Sequence, residues 1–407
     1  LRSAWISGNA AGLPTAGLLV SNETLAALTA LWGAPSDLVE GVPAEDLAAL
    51  AWEQDAWALL PFEQLQPRLK VLRVDGQSPI RPEFDPAVYP LSLPFGPVAN
   101  SERGKAWLAA NPEARFFSTA SNYDRTQLTL LVMTGVTALV RGTAAMMEIK
   151  GMTYPAVDIR EILRSADLTH VSNEVPFAEN CPPPSPSTEL VFCSKTKYIE
   201  LLEDIGTDII ELTGDHFADW GPEAMRYTLS LYKERGWPYY GGGENLEEAQ
   251  KALLVEHNGN KLAFIGCNAK PPGYATAAKD NPGAAHCDWE VMAAKISEAK
   301  AAGYNPIVTF QHLEFYSYQP KAQLVEDFHK VADVGAVIVN GSQAHQPHAI
   351  EFYNGAFLHY GLGNLFFDQV GEGEPQRQAF IDRDVFYQNR HISTELIPIY
   401  FIDLARA

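Results

Sequence analysis

Residues 208–236 read DIIELTGDHFADWGPEAMRYTLSLYKERG, and the order of residue types in them sets the fold class. The run 208–213 is apolar and of strand length. A polar loop follows, Gly214-Asp215-His216 and then Asp219. Pro222 suits the first turn of a helix, and Gly236 is a stop signal. Between them Met225, Leu229 and Tyr232 fall at i, i+4 and i+7, so one apolar stripe faces a sheet. Strand, polar loop and helix make half of a βαβ unit. The alternation continues on both sides. Apolar runs stand at 128–135, 168–172, 261–266, 306–310, 336–340 and 356–360, and helices are expected at 157–165, 246–255, 289–302 and 321–334. Residues 128–407 therefore read as one α/β domain.

In open α/β sheets, ligands sit beyond the carboxyl ends of the strands. Asn173-Glu174 follow one run, and Asp215, His216 and Asp219 another. Gln311-His312-Leu313-Glu314 follow a third, and Gln343, His345 and His348 a fourth. Gly361, Gly363, Asn364 and Asp368 follow the last. Carboxylate oxygen and imidazole nitrogen form the ligand set that suits Zn²⁺, Mn²⁺ or Fe²⁺. A histidine beside a strand also serves as a hydrogen-bonded structural residue, so the collection over five loops counts for more than any single one. Asn364 and Asp368 also read as turn-shaping residues, and Glu314 as an ion-pair partner.

The bulk properties narrow the function. The chain has 407 residues, 46% of them hydrophobic and 20% charged, with a formal charge of −20. Such a chain repels phosphate backbones and anionic bilayers, so nucleic acid is not an expected partner. An acidic polymer would need a local basic site or a bound cation. No apolar run approaches the ~18 residues of a membrane span. The chain starts at Leu1 rather than Met, so any signal peptide or anchor is expected outside it. Its four cysteines form two close pairs, Cys181/Cys193 and Cys267/Cys287, each flanking a long loop. Bridged, they would place the protein in an oxidising, extracytoplasmic setting. The alternative is four free thiols.

Residues 1–100 read as a smaller α/β module, with helices at 22–32 and 44–57 and a strand at 69–74. Leu60-Pro61-Phe62, 71–76, Ser78-Pro79 and Tyr89-Pro90-Leu91 are similar to segments of type II periplasmic binding proteins. A structural prefix without a ligand is the other reading. Residues 101–127 form a polar connection.

Seven motifs then stand in order: 134–141 (TGVTALVR), Asn173-Glu174, 214–221 (GDHFADWG), 241–249 (GGGENLEEA), 311–316 (QHLEFY), 341–345 (GSQAH) and 361–369 (GLGNLFFDQ). The set resembles the CapA family of bacterial poly-γ-glutamate capsule biosynthesis proteins, also called PgsA, from about residue 129 to 382. The resemblance implies a calcineurin-like metallophosphatase fold, a four-layer α/β/β/α sandwich, and an extracytoplasmic, often membrane-anchored protein. It implies poly-γ-glutamate or its precursor as substrate class, with membrane-bound capsule-synthesis partners or a homo-oligomer as company.

The departures from the family pattern bear on the metal. A Gly-Asp strand end is replaced by Gly135-Val136. Asn-His becomes Asp215-His216. His-Pro-His becomes Gln343-Ala344-His345. His312 matches a family histidine, whereas His348 has no counterpart. A two-metal site needs ligands around two ions roughly 3.5–4 Å apart, and this set is short of that. One divalent ion (Mn, Zn or Fe) held by Asp215, His312 and His345, with Glu174 near, is one expectation. A metal-free hydrogen-bonded network is the other. With a metal, His216 is the expected general acid, oriented by Asp219. Arg141, Asn173, Glu314, Gln343, His348 and Asn364 are the expected substrate contacts, Arg141 through a bidentate pair with a carboxylate unless it is held in a structural ion pair. The resulting functions are a metal-assisted hydrolase of an extracellular polymer or a non-catalytic surface protein that binds it. A sensor built on the first 100 residues is a third.

Overall fold

The computed structural model describes residues 1–9, 17–112, 114, 121–185, 190–273 and 275–407. It divides into two compact units, Leu1–Arg125 and Thr126–Ala407.

The first unit is built on a three-stranded parallel sheet in the order Val39–Val42, Leu18–Ser21, Trp57–Leu59. Alternate residues of Leu18–Ser21 enter opposite cores. Leu18 and Val20 pack with Trp5 and Leu28, and Leu19 packs with Leu47 and Ala51. Ser21 caps the helix Asn22–Trp32 by accepting from the Thr24 N–H. Two sequence expectations are corrected here. The helix expected at 44–57 ends at Glu53, because Asp55 turns the chain at φ 50°, a left-handed position that Asp tolerates. Trp57–Leu59 is then freed to be the third strand. Residues 69–74 form no strand, and only Val74 makes an isolated bridge, to Gln77.

The second unit holds two large sheets. One has the order Tyr239–Tyr240, Ile209–Glu211, Leu168–Asn173, Leu128–Met133, Gln378–Tyr387, Arg390–Tyr400, with short strands Val136–Thr137 and Asn364–Phe366 beside that path. The other runs Leu253–His257, Asn260–Asn268, Asn305–Gln311, Ile338–Asn340, Ala356–His359, Ile350–Tyr353. The strand period of two sorts side chains into layers. Leu131, Met133, Ile209, Phe264, Ile307, Ile338 and Phe357 form one core between the sheets. Their sequence neighbours Val132 and Ile210, with Leu212, pack under the helices Arg141–Lys150, Ile199–Asp204 and Gly221–Arg235. Ile265, Val308, Val339 and Leu358 pack under Trp289–Ala301 and Ala322–Val334 on the far side. The result is the four-layer α/β/β/α sandwich that the metallophosphatase resemblance implies.

Three hairpins fall outside the βαβ reading. The helix expected at 246–255 stops at Ala249, and Leu253–His257 is an edge strand. Its turn, Asn258-Gly259, has φ 48° and 75°, the type I′ geometry for which Asn-Gly is the preferred pair. Asn354-Gly355 (φ 47° and 81°) and Gln388-Asn389 (φ 49° and 58°) repeat it. The helix expected at 157–165 is reduced to Arg160–Arg164. Both cysteine pairs are bridged, Cys181 to Cys193 and Cys267 to Cys287.

Candidate metal centre

The carboxyl ends of four strands, two from each sheet, meet at one edge of the sandwich. Glu174 follows Leu168–Asn173, and Asp215 and His216 follow Ile209–Glu211. Lys270 follows Asn260–Asn268, and Gln311 closes Asn305–Gln311. The loop after Ile209–Glu211 approaches Glu174 closely because residue 214 is glycine. A Cβ there would lie 2.8 Å from the Glu174 Cα and 2.9 Å from its carbonyl oxygen.

Glu174, Asp215 and His216 form the group best placed for a cation, each offering one ligand atom, all within 4.8 Å of one another. Glu174 is fully buried, and neither of its carboxylate oxygens has a hydrogen-bond partner. Burial pushes its pKa up, against the pull of His216 and His345. A buried carboxylate with nothing to bond is costly unless a partner arrives. Asp215 is better satisfied. Gln311 Nε2 donates to its Oδ1 at 2.5 Å and Lys270 Nζ to its Oδ2 at 2.7 Å. Burial would raise its pKa, but Lys270, His216 and Gln311 together hold it below the ordinary value. His216 Nδ1 is bonded to Asp219 Oδ2 at 2.7 Å, and that oxygen also accepts the Phe192 N–H at 2.7 Å. Burial opposes the charged imidazole, yet Asp219, Glu174 and Asp215 outweigh it and raise the pKa to about 9.

The other expected residues distribute unevenly. His345 Nδ1 is bonded to Asn364 Oδ1 at 2.9 Å, and Asn364 Nδ2 returns a bond to the His345 carbonyl at 3.2 Å. This fixes the ring with Nε2 toward Glu314, 4.0 Å from its Oε2. Asn364 thus positions a histidine. His312 lies apart from Glu174 and Asp215 in its bonding: its Nε2 meets Asp327 Oδ2 of the helix Ala322–Val334 at 3.0 Å. Asn173 Nδ2 is taken by the Val175 carbonyl and the Tyr232 hydroxyl, and Gln343 Nε2 by Ser172 Oγ. Arg141, itself at φ 46°, pairs with Asp368, whose other oxygen accepts the Gly142 N–H at 2.7 Å. That is the structural alternative of its two readings. The guanidinium also lies over Phe192 and Phe367.

His348 stacks on Phe315 and bonds the Ser317 carbonyl at 2.6 Å through Nδ1. Burial, opposed by that bond, lowers its pKa from 6.5 to about 4. The unfolded chain therefore binds a proton here between pH 6.5 and 4 that the folded chain refuses. Stability from this group is full above pH 6.5 and is lost as pH falls toward 4. His348→Gln is expected to flatten that loss, by about 3 kcal/mol at pH 4. Urea unfolding across this pH range checks it. An unchanged slope would mean that another group carries it.

Lys270 is a member of the site that the sequence reading did not single out. Its Nζ bridges Asp215 Oδ2 and Glu314 Oε1, at 2.7 and 2.5 Å. Burial works against its charge, but the two carboxylates raise its pKa and keep it an ammonium. The signal in the sequence is its place four residues beyond the apolar run 261–266, and the strand itself extends to Asn268.

The family model described as "Bacterial capsule synthesis protein PGA_cap" matches residues 130–369, which span every residue of this site. The chain belongs to this family. Among its curated relatives, the PGA biosynthesis protein CapA of Bacillus subtilis (strain 168) is 27% identical over 215 residues, covering 52% of this chain and 56% of that protein. The capsule biosynthesis protein CapA of Bacillus anthracis is 26% identical over 180 residues, 43% of this chain and 44% of that protein. This PGA_cap chain thus spans about half the length of these relatives. Among solved structures it is similar to a phosphatase of Mycoplasma pneumoniae, at a TM-score of 0.44 and 13% identity, over 68% of this chain and 95% of that one. A 5'-nucleotidase precursor from Thermus thermophilus aligns at a TM-score of 0.41 and 14% identity, over 67% of this chain and 54% of that one.

Proposed function

We propose that this PGA_cap protein is a metal-assisted hydrolase acting outside the cytoplasm on an anionic capsule polymer such as poly-γ-glutamate, or on its precursor. The observation that carries the reading is Glu174, buried with both oxygens unpartnered beside Asp215 and His216. Two oxygens and an imidazole nitrogen suit one Mn, Zn or Fe(II) ion. Held by these three residues, such an ion would polarise a carbonyl or phosphoryl oxygen and lower the pKa of a bound water. We assign His216 to the ligand group rather than to the role of a separate acid, with Asp219 fixing its ring as outer-shell partners do.

On a chain of formal charge −20, a polyanion is repelled at long range and needs local cations to settle. Lys270 is a cation at the ligand group, bonded directly to Asp215. The two disulfides support an oxidising compartment. Among the described residues no helix is long and apolar enough to cross a membrane. A second reading, polymer binding without chemistry, is favoured by the same Lys270, which neutralises two carboxylates of the site.

The test is metal content followed by turnover. Protein stripped with chelator and reloaded is expected to retain one Mn, Zn or Fe per chain by mass spectrometry. Asp215→Asn is expected to lose it, and the loaded protein to shorten poly-γ-glutamate. Absence of stoichiometric metal sinks the hydrolase. Stoichiometric metal with polymer bound but never shortened moves the assignment to the binding protein.

A further inference from the structure

A side chain of the chain itself stands between two carboxylates of the site, Lys270 between Asp215 and Glu314. We propose that the Lys270 ammonium occupies a latent second divalent-metal site formed by Asp215, Glu314 and His345, and so limits the centre to one ion. The inference rests on the cation-binding reading of Glu174, Asp215 and His216 given above.

Three observations carry it. Lys270 Nζ lies 2.7 Å from Asp215 Oδ2 and 2.5 Å from Glu314 Oε1, so it sits between two carboxylates from different strand ends. His345 Nε2 stands 4.0 Å from Glu314 Oε2, and its Nδ1 is committed to Asn364. An imidazole whose far nitrogen is fixed by a neighbouring oxygen is arranged as metal-binding histidines are. The third observation is Asp215 itself. Its carboxylate belongs to the ligand group with Glu174 and His216, while its Oδ2 faces Lys270. A carboxylate shared between two cations is what a binuclear centre requires, and here one of the two cations is tethered. Glu174 lies within the same field, its charge acted on by His216, His345, Asp215 and Lys270. Two carboxylate ligands and one imidazole form a hard-to-borderline set, suited to Mn²⁺ or Zn²⁺.

A lysine in this place has consequences that a metal ion does not. It brings a single charge rather than two, and it cannot be removed by chelation. Its three N–H groups are donors only, so it can bind an anionic group of a substrate but cannot deliver an activated water as a metal ion does.

The experiment compares the whole chain with Lys270→Met, which keeps the side-chain length and removes the charge. Lys270→Gln serves as a second variant should the first not fold. Both are stripped with chelator and titrated with MnCl₂ alone, with bound Mn counted by mass spectrometry after buffer exchange. The unsubstituted chain is expected to bind one ion and each folded variant two. The inference is read from the difference between variant and parent, and the hydrolase reading from the parent alone. No ion in the parent and one in the variant would sustain the lysine plug while removing the hydrolase. Equal counts in parent and variant, whether none, one or two, overturn the plug. Two ions in the parent overturn it as well and leave the hydrolase standing.

Discussion

Glu174→Gln is expected to weaken Mn²⁺ binding by on the order of 100-fold or more, and at the same time to make the metal-free protein more stable. The first effect follows from removing a ligand, since even outer-shell changes cost roughly 10–100-fold. The second follows from the environment. Glu174 is fully buried with no hydrogen-bond partner on either oxygen, and burial raises its pKa above 4.5 despite His216 and His345. The fold therefore disfavours the charged form. A group with a raised acidic pKa lowers stability progressively as pH rises through the ordinary value of 4.5 toward the folded one. A neutral amide has no such loss. The gain should be on the order of 1 kcal/mol at pH 7.5, the part of the burial cost that belongs to the charge, because the neutral amide stays buried and unpaired as well. Urea unfolding in the presence of chelator reads the stability, and titration calorimetry with Mn²⁺ reads the affinity. Loss of stability with metal binding unchanged would make Glu174 a structural residue and remove the centre's first ligand.

The layered sandwich was legible where a strand is buried on both faces and reads as an apolar run, as Leu128–Met133 does, whereas the two longest strands, Gln378–Tyr387 and Arg390–Tyr400, gave no such run. What escaped were segments whose signal is local. Leu253–His257 alternates between half-buried and exposed positions, and its strand identity rests on the Asn258-Gly259 turn. Trp57–Leu59 has only three residues, too few for any period to show. The site was legible as a set of strand ends. Asp215, Glu174 and His345 stand out as polar residues following apolar ones. The geometry then separated residues that the sequence could not. His312 follows a strand as they do, and its Nε2 is held by Asp327, a partner from a helix whose position no spacing rule gives. Lys270 escaped because metal ligands are acceptors, and a cation at a strand end reads as surface charge. Gly135 shows a further limit. A Cβ there would lie 1.8 Å from the Gly363 carbonyl oxygen, so its motif position records a backbone crossing between distant segments rather than chemistry.

Beneath the site, His170 and Glu211 form the polar contact whose loss should cost most. His170→Ala is expected to destabilise the protein by about 3–5 kcal/mol, the range for removing one partner of a buried pair. Both side chains have no solvent exposure, with His170 Nε2 3.1 Å from Glu211 Oε2. Glu211 Oε1 accepts from the hydroxyls of Thr213 and Ser342 at 2.5 and 2.6 Å, and Tyr240 links His170 to Thr309. His170, Glu211 and Tyr240 come from one sheet, Thr309 and Ser342 from strands or strand ends of the other. The cluster therefore ties the sheets together directly below the loop that carries Asp215. Burial acts to raise the Glu211 pKa, but His170, Ser342 and Thr213 outweigh it and hold it below 4.5. Its contribution is accordingly full above pH 4.5 and lost as pH falls through the lower folded value. Without His170, the carboxylate must either stay charged in a dry interior or take up a proton, so in His170→Ala burial should push the Glu211 pKa up and the variant should regain stability as pH falls from 7 to 5. The double variant His170→Phe with Glu211→Leu should recover most of the loss, because replacing a whole buried pair by apolar groups is often neutral. Its metal binding is the informative readout. Recovered stability with weakened Mn²⁺ affinity would show that the polar cluster sets the position of Asp215, whereas full recovery of both would reduce the pair to packing.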